Sequence, residues 1–379
     1  MDMYFDAAAT TKPTKSTIES IRPYIENHYY NPSALYSGGK AVRDKIEEVR
    51  KQIADMIGAN SDEIFFTSGA TESNNWVMRG FLDEYQYRGH IITSPIEHNS
   101  IISFLNRYAK NLYNTYCNVD SEGFVDYYDI RSDLEVNQNT HVKSLVSIIY
   151  GNNEIGTIQN IAELSELTHR YNGIFHTDAT QVFGHLPINV DELGIDLMSA
   201  SAQKINGIKG CGFLYIRNGV KIKPLIYGSQ ENGMRGGTEN VIGIVAFGEA
   251  LKNVDYSIAE KISQIRDEFI KLLVNDFGCR INGSMKYRLP NNINVTFPQN
   301  ITGEALIYML ETSGIYISAG SACNSHSVKP SYVLQSIGLS DEDISKTIRI
   351  TIPPDSNGLE IAAFLHELDK TIKILTMEN

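Results

Sequence analysis

Through the middle of the chain, short runs of apolar residues alternate with longer stretches whose apolar positions recur every three or four residues. The runs are EIFFTS (63–68), GHIITS (89–94), SLVSIIYG (144–151), GIFHTD (173–178), DLMSAS (196–201) and GFLYIR (212–217). Each is too short for a stable helix, rich in Ile, Phe, Leu or Val, and bounded by Gly, Ser or Asp, which predicts buried strands. SIISFLNRYAKNL (100–112) and IAELSELTHRYN (161–172) lie between them with helical periodicity. Strands alternating with helices predict an α/β unit on a mostly parallel sheet.

From about Asp255 the pattern changes. A charged amphipathic stretch (258–278) leads to the strand-like NNINVTF (291–297), and another amphipathic stretch, GLEIAAFLHELDKTIKIL (358–375), follows near the C-terminus. The expected organisation is a large α/β domain over 16–254 and a smaller α+β domain over 255–379, which the N-terminal segment 1–15 joins. Neither repeats nor low-complexity tracts interrupt it.

Charge and cysteine content narrow the function classes. The formal net charge is −12 with no block of basic residues, which argues against direct nucleic-acid binding. No apolar run approaches membrane-spanning length and the N-terminus lacks a basic region followed by an apolar one, so a cytoplasmic protein is expected. Cys117, Cys211, Cys279 and Cys323 lie far apart without CxxC spacing, which signals neither a disulfide framework nor a zinc site. Cys323 and His326 supply two of the four ligands a metal would need, and no second pair is nearby.

Open parallel sheets bind ligands at the carboxyl ends of their strands, so the polar residues that close each apolar run are candidates for chemistry. TSGATESNN ends a strand in a glycine turn before a helix, where the backbone N–H groups of Gly69, Ala70 and Thr71 suit an anion; a capped helix start is the plainer reading. Without GK[ST] it is not a nucleotide-type P-loop. Asp178 stands just past a strand, where it can cap a helix or pair with a buried cationic nitrogen. Lys204 follows another strand in a small, Gly-rich surround and can form a Schiff base with an aldehyde. An aldehyde, a phosphate and a pyridinium partner together describe pyridoxal 5′-phosphate. His98 and Asn153 close two further strands, Arg349 sits in strand-like alternation, and Cys323 lies among small polar residues that leave a thiol accessible.

Taken in order, YFDAAATT, NPSALY, TSGATESNN, EHNS, NNEIG, HTDATQ, SAQK, KGCGFLYIR, RGGTEN and SAGSAC resemble the cysteine desulfurases of the aminotransferase class V group, which are fold-type-I pyridoxal-phosphate enzymes. The resemblance covers essentially the whole chain. It implies a seven-stranded, mostly parallel sheet, a homodimer, L-cysteine as substrate and a sulfur-acceptor protein as partner. It implies that Lys204 is the Schiff-base lysine, Asp178 the partner of the pyridine nitrogen, Gln181 the donor to the ring oxygen and His98 the stacked ring. Ala70, Thr71, Ser201 and Gln203 match phosphate-contacting positions, and Thr238 matches one that reaches the phosphate from the neighbouring subunit. Asn153 and Arg349 match the pair that binds the substrate carboxylate, and Cys323 matches the sulfur-accepting cysteine. The span from Ser318 to Pro330 resembles the class with a long catalytic loop.

The chain departs from the family pattern at several positions. Gln203 replaces the usual histidine before the lysine, Tyr36 and Asn232 replace a common histidine and arginine, and Pro353 and Pro354 follow Arg349 where Gly-Arg is usual. These departures suggest a specialised sulfur donor, serving tRNA thiolation, DNA phosphorothioation or iron–sulfur assembly. The alternatives are a selenocysteine lyase, a transaminase of the same fold, or an assembly subunit that has lost the reaction.

Overall fold

The computed structural model describes residues 2–108, 112–319 and 330–377. A two-residue strand, β1 (Met3–Tyr4), precedes the strands of the main sheet: β2 (Ile64–Thr67), β3 (His90–Thr93), β4 (Tyr113–Tyr116), β5 (Ser144–Ser147), β6 (Ile174–Asp178), β7 (Leu197–Ser201) and β8 (Gly212–Ile216). Among the described residues they form a seven-stranded sheet in the order β2-β8-β7-β6-β5-β3-β4. All neighbours are parallel except β8, which runs antiparallel to β2 and β7. The mostly parallel α/β sheet expected from the sequence is therefore present.

Helices cover both faces of this sheet, and successive residues of one strand feed opposite cores. Phe66, Ile92, Val146 and Phe175 pack with helices 37–57, 161–170 and 241–252. Their neighbours Phe65, Ile91, Leu145 and Ile174 pack with helices 70–84 and 99–108. Two-sided burial makes these strands continuous apolar runs. β4 departs from that pattern: it pairs only with β3 at the sheet edge, and Tyr113 is half exposed, so YNTY escapes a search for apolar runs.

The second sheet, β12-β13-β10-β9, is antiparallel and uses β9 (Arg280–Ile281), β10 (Asn292–Thr296), β12 (Ser318–Ala319) and β13 (Thr347–Thr351); β11 (Ile315–Tyr316) pairs with β1 in parallel. Helices 256–277, 303–312 and 358–377 enclose its apolar face. The first begins where the Asp255 carboxylate accepts the Ser257 N–H and ends at Gly278, whose φ of 67° closes the helix.

The N-terminal residues belong to this second core although they are most distant from it in sequence. Phe5 is 1% exposed and packs edge-on against Phe364 and Phe269, with centroids 5.3 and 6.5 Å away. Its N–H donates to Tyr316 O at 2.8 Å and its carbonyl accepts the Thr351 N–H at 2.7 Å. Phe5→Ala is expected to lower unfolding free energy in urea by about 3–5 kcal/mol. A loss below about 1 kcal/mol would mean that the segment is only laid on the surface.

Candidate active site

A cavity of about 410 Å³ opens where the carboxyl ends of β2, β5, β6 and β7 face β13. It is lined by Ala70, Thr71, His98, Asn153, Asp178, Gln181, Ser201, Gln203, Lys204 and Arg349, so the fold gathers ten of the sequence candidates around one space. Thr238 does not line it; this residue is exposed in the glycine-rich loop after β8. Cys323 lies outside the described residues, as does His326.

Lys204 ends a short 3₁₀ turn, Ala202–Lys204, directly after β7. Its ammonium donates to Ala8 O at 2.7 Å and Ala9 O at 2.6 Å, and the Gln181 amide donates to Ala8 O at 3.0 Å. The same N-terminal segment fixes the turn from below: the Thr11 N–H and hydroxyl both donate to Gln203 O at 2.9 Å. His185 Nε2 donates to Lys204 O at 3.1 Å. The lysine thus sits on backbone carbonyls, which hold a cation without neutralising it.

Asp178, the last residue of β6, is 3% exposed. One oxygen accepts the Asn74 amide at 2.7 Å, and the other accepts the Thr180 N–H at 3.0 Å and hydroxyl at 2.5 Å. These donors are all neutral. The Asn74 amide also donates to Ser100 Oγ at 2.9 Å, and the Ser100 hydroxyl meets His98 Nδ1 at 2.8 Å. His98 Nδ1 accepts the Ser100 N–H at 3.2 Å, which puts the proton of a neutral ring on Nε2. Asn74 and Ser100 therefore link the two ring-binding candidates; they lie within TESNN and EHNS, yet spacing alone gave no signal for the link.

The turn between β2 and helix Ala70–Glu84 has Gly69 at φ 145°, a conformation that L side chains rarely adopt, and no side chain caps the helix. Its first N–H groups are the anion-binding kind. Glu72 accepts the Ser68 N–H at 2.9 Å and pairs with Arg235 at 2.9 Å. Arg235 belongs to the loop that carries Thr238. That loop is held again at Glu231, which is buried, pairs with Arg50 at 2.7 Å and accepts the Phe66 N–H at 2.9 Å. Asn232 takes a left-handed φ of 55°, which asparagine tolerates better than most residues.

Arg349 lies mid-strand in β13 and is 2% exposed. Its Nη2 donates to Asp6 Oδ1 at 2.6 Å and its Nη1 to the Asn153 carbonyl at 3.1 Å, while Nε is buried without a partner among the described residues. Asn153 thus meets Arg349 through its backbone. A buried guanidinium with an unused donor beside a cavity suits an anionic ligand group. Asp6, Ala8 and Ala9 are site residues that the sequence reading did not single out.

The arrangement fits pyridoxal phosphate on its chemistry. An uncapped helix start suits the phosphate, a carboxylate among neutral donors suits a protonated ring nitrogen, and an amine on carbonyl oxygens suits an aldehyde. The three described thiols are poor nucleophiles: Cys117, Cys211 and Cys279 are buried, and burial pushes Cys211 and Cys279 up to about 12. No helix of the described residues is long and apolar enough to cross a membrane, and the described His, Cys, Asp and Glu residues form no metal-binding group.

The family model for aminotransferase class V matches residues 3–364. The chain is 44% identical to a cysteine desulfurase IscS of Dictyoglomus turgidum, over 99% of this chain and 95% of that one, and 42% identical to an IscS of Methanosarcina thermophila, over 92% and 87%. Among solved structures it is similar to a NifS-like protein (TM-score 0.91, 32% identity, 99% of this chain and 100% of that one) and to SspA in complex with cysteine (TM-score 0.82, 34% identity, 93% and 99%).

Two buried carboxyls behind the cavity make a measurable signature. Burial pushes Glu97 up to about 8, against donors from Ser94 and the Ile149 N–H, and Glu154 up to about 7, against the Ser331 hydroxyl and the field of Arg349. When unfolded, both release their protons near 4.5, the ordinary value of a free glutamate side chain. The folded protein therefore holds protons the unfolded chain has lost, and stability falls as pH rises through 7 to 8. The buried histidines act in the opposite sense but at lower pH: desolvation lowers His90 and His185, and takes His176 to about 4. Between about pH 6.5 and 8.5, urea denaturation of the wild type should show decreasing stability, and the Glu97→Gln/Glu154→Gln double variant should show a flatter dependence. An equal slope in both would contradict the assignment.

Proposed function

Because the chain belongs to the aminotransferase class V family, we propose that it is an L-cysteine desulfurase that passes sulfur to an acceptor protein through Cys323. The observation that carries this reading is the single cavity in which Lys204, Asp178, His98, Gln181, the open helix start and Arg349 converge, in a chain whose relatives are named cysteine desulfurases. Ala70, Thr71, Ser201 and Gln203 would hold the phosphate of pyridoxal phosphate, joined by Thr238 from the second subunit of a homodimer. Asp178 would pair with the ring nitrogen, Gln181 would donate to the ring oxygen and His98 would stack on the ring. When bound, the cofactor supplies an aldehyde for the substrate amine and a ring that takes up the electron pair released at Cα.

The protein's own groups do the rest. Arg349, with Asn153, binds the α-carboxylate and so fixes which bonds at Cα face the ring. Lys204 leaves the Ala8 and Ala9 carbonyls and its Nζ takes the Cα proton. The Cys323 thiolate attacks the substrate sulfur; the new S–S bond forms as the Cβ–S bond breaks, Cβ keeps the electron pair and is protonated, and Lys204 Nζ returns the proton to Cα to give L-alanine. Cys323 is left as a persulfide, which the acceptor collects. Gln203 can donate a hydrogen bond to phosphate but carries no charge there, in keeping with a specialised donor for tRNA thiolation, DNA phosphorothioation or iron–sulfur assembly. We place the enzyme in the cytoplasm, where thiols stay reduced.

The purified protein, incubated with L-cysteine and a thiol reductant, should yield sulfide and L-alanine in equal amounts. Cys323→Ala should reduce both to background while retaining the cofactor's visible absorbance, and Lys204→Ala should lose roughly a thousandfold in rate. Sulfide formation undiminished in Cys323→Ala, or transamination in place of desulfuration, would overturn the reading.

A further inference from the structure

Arg349 is paired before any substrate arrives. Asp6 is the carboxylate that holds it, at 2.6 Å, and the two side chains are 18% and 2% exposed. Asp6 is placed by its backbone: its neighbour Phe5 accepts the Thr351 N–H, the Ala7 N–H donates to Thr351 O at 3.3 Å, and Tyr4 OH donates to Asp6 O at 2.9 Å. Thr351 is two positions along β13 from Arg349, so the strand that carries the guanidinium also fixes the carboxylate against it. Glu154 is the other carboxyl whose field Arg349 reaches.

The pairing has a cost for ligand binding. A lone buried guanidinium would be unfavourable, and Asp6 compensates it. The same negative charge opposes any second carboxylate brought to Arg349. Substrate and product of the proposed reaction carry the same α-carboxylate, so a tighter grip on that group holds L-alanine as firmly as L-cysteine and does not accelerate the chemistry. We propose that Asp6 is a positioning residue that moderates the affinity of Arg349 for the α-carboxylate and thereby frees the product. The proposal rests on the functional reading above and adds to it a residue to which the family comparison assigns no role.

Asp6→Asn keeps an oxygen that can accept from Nη2 but removes the charge; Asp6→Ser removes the charge with a smaller acceptor and serves if the first variant folds poorly. Calorimetric titration of L-alanine into the cofactor-loaded proteins should show binding roughly tenfold tighter in the variants than in the wild type. The KM for L-cysteine should fall in the same direction without a rise in kcat, a split that a merely structural loss does not produce. Unchanged or weaker L-alanine binding in the variants would overturn the role of Asp6 and leave the functional reading intact, provided the wild type binds L-alanine and Arg349→Gln abolishes it. L-Alanine binding found neither in the wild type nor in the variants would overturn the functional reading and this proposal with it.

Discussion

The Lys204 ammonium resting on the carbonyls of Ala8 and Ala9 is the contact on which the rest of the site depends. A cation in a partly closed cavity needs oxygen acceptors, and here residues nearly two hundred positions away supply them. To reach Lys204, the N-terminal segment must pass between the two cores, and each step of its path is fixed. Phe5 is buried in the second core, Asp6 meets Arg349, Ala8 also receives the Gln181 amide, and Thr11 binds the carbonyl of Gln203. The segment joins the main sheet to β13, and the cavity lies at that junction.

The charges around the cavity follow one rule: each is compensated, and the manner of compensation suits its task. The Lys204 ammonium donates to the neutral carbonyls of Ala8 and Ala9. Among the described residues the donors to Asp178 are all neutral, which leaves its negative charge for a cationic partner. Arg349 has a full counter-charge in Asp6 but keeps one buried N–H unused among the described residues. Glu97 and Glu154 are stripped of water behind the wall and favour the protonated form. Glu231 and Arg50 by contrast form a tight structural pair that shapes the glycine-rich loop. Buried polar groups that are satisfied in this graded way give the site defined acid, base and anion-binding positions.

Much of this was legible in the sequence because parallel strands buried on both faces read as unbroken apolar runs and ligands collect at their ends. Asp178 and Lys204 stand at such strand ends, which made them candidates, but their roles came from the family resemblance. β4 was hidden by its edge position, and β9, β11 and β12 are two residues long, too short to show a period. Ala8 and Ala9 act through backbone carbonyls, which leave no trace in residue type. Asp6 lay inside a recognised motif, but its pairing with Arg349 needs the register of β13 against the N-terminal segment. The burial that raises Glu97 and Glu154 is likewise a property of the packed wall and of the segment around Ser331 and Tyr332, not of the residues beside them in the chain.

That Cys323 receives the substrate sulfur is tested most directly by mass spectrometry of the peptide containing it, after brief exposure of the cofactor-loaded protein to L-cysteine without reductant. The expected result is the mass of one added sulfur atom on Cys323, removed by a thiol reductant and missing in Lys204→Ala. An unmodified Cys323 in protein that is turning over L-cysteine, or the added sulfur on Cys117, Cys211 or Cys279 instead, would contradict it.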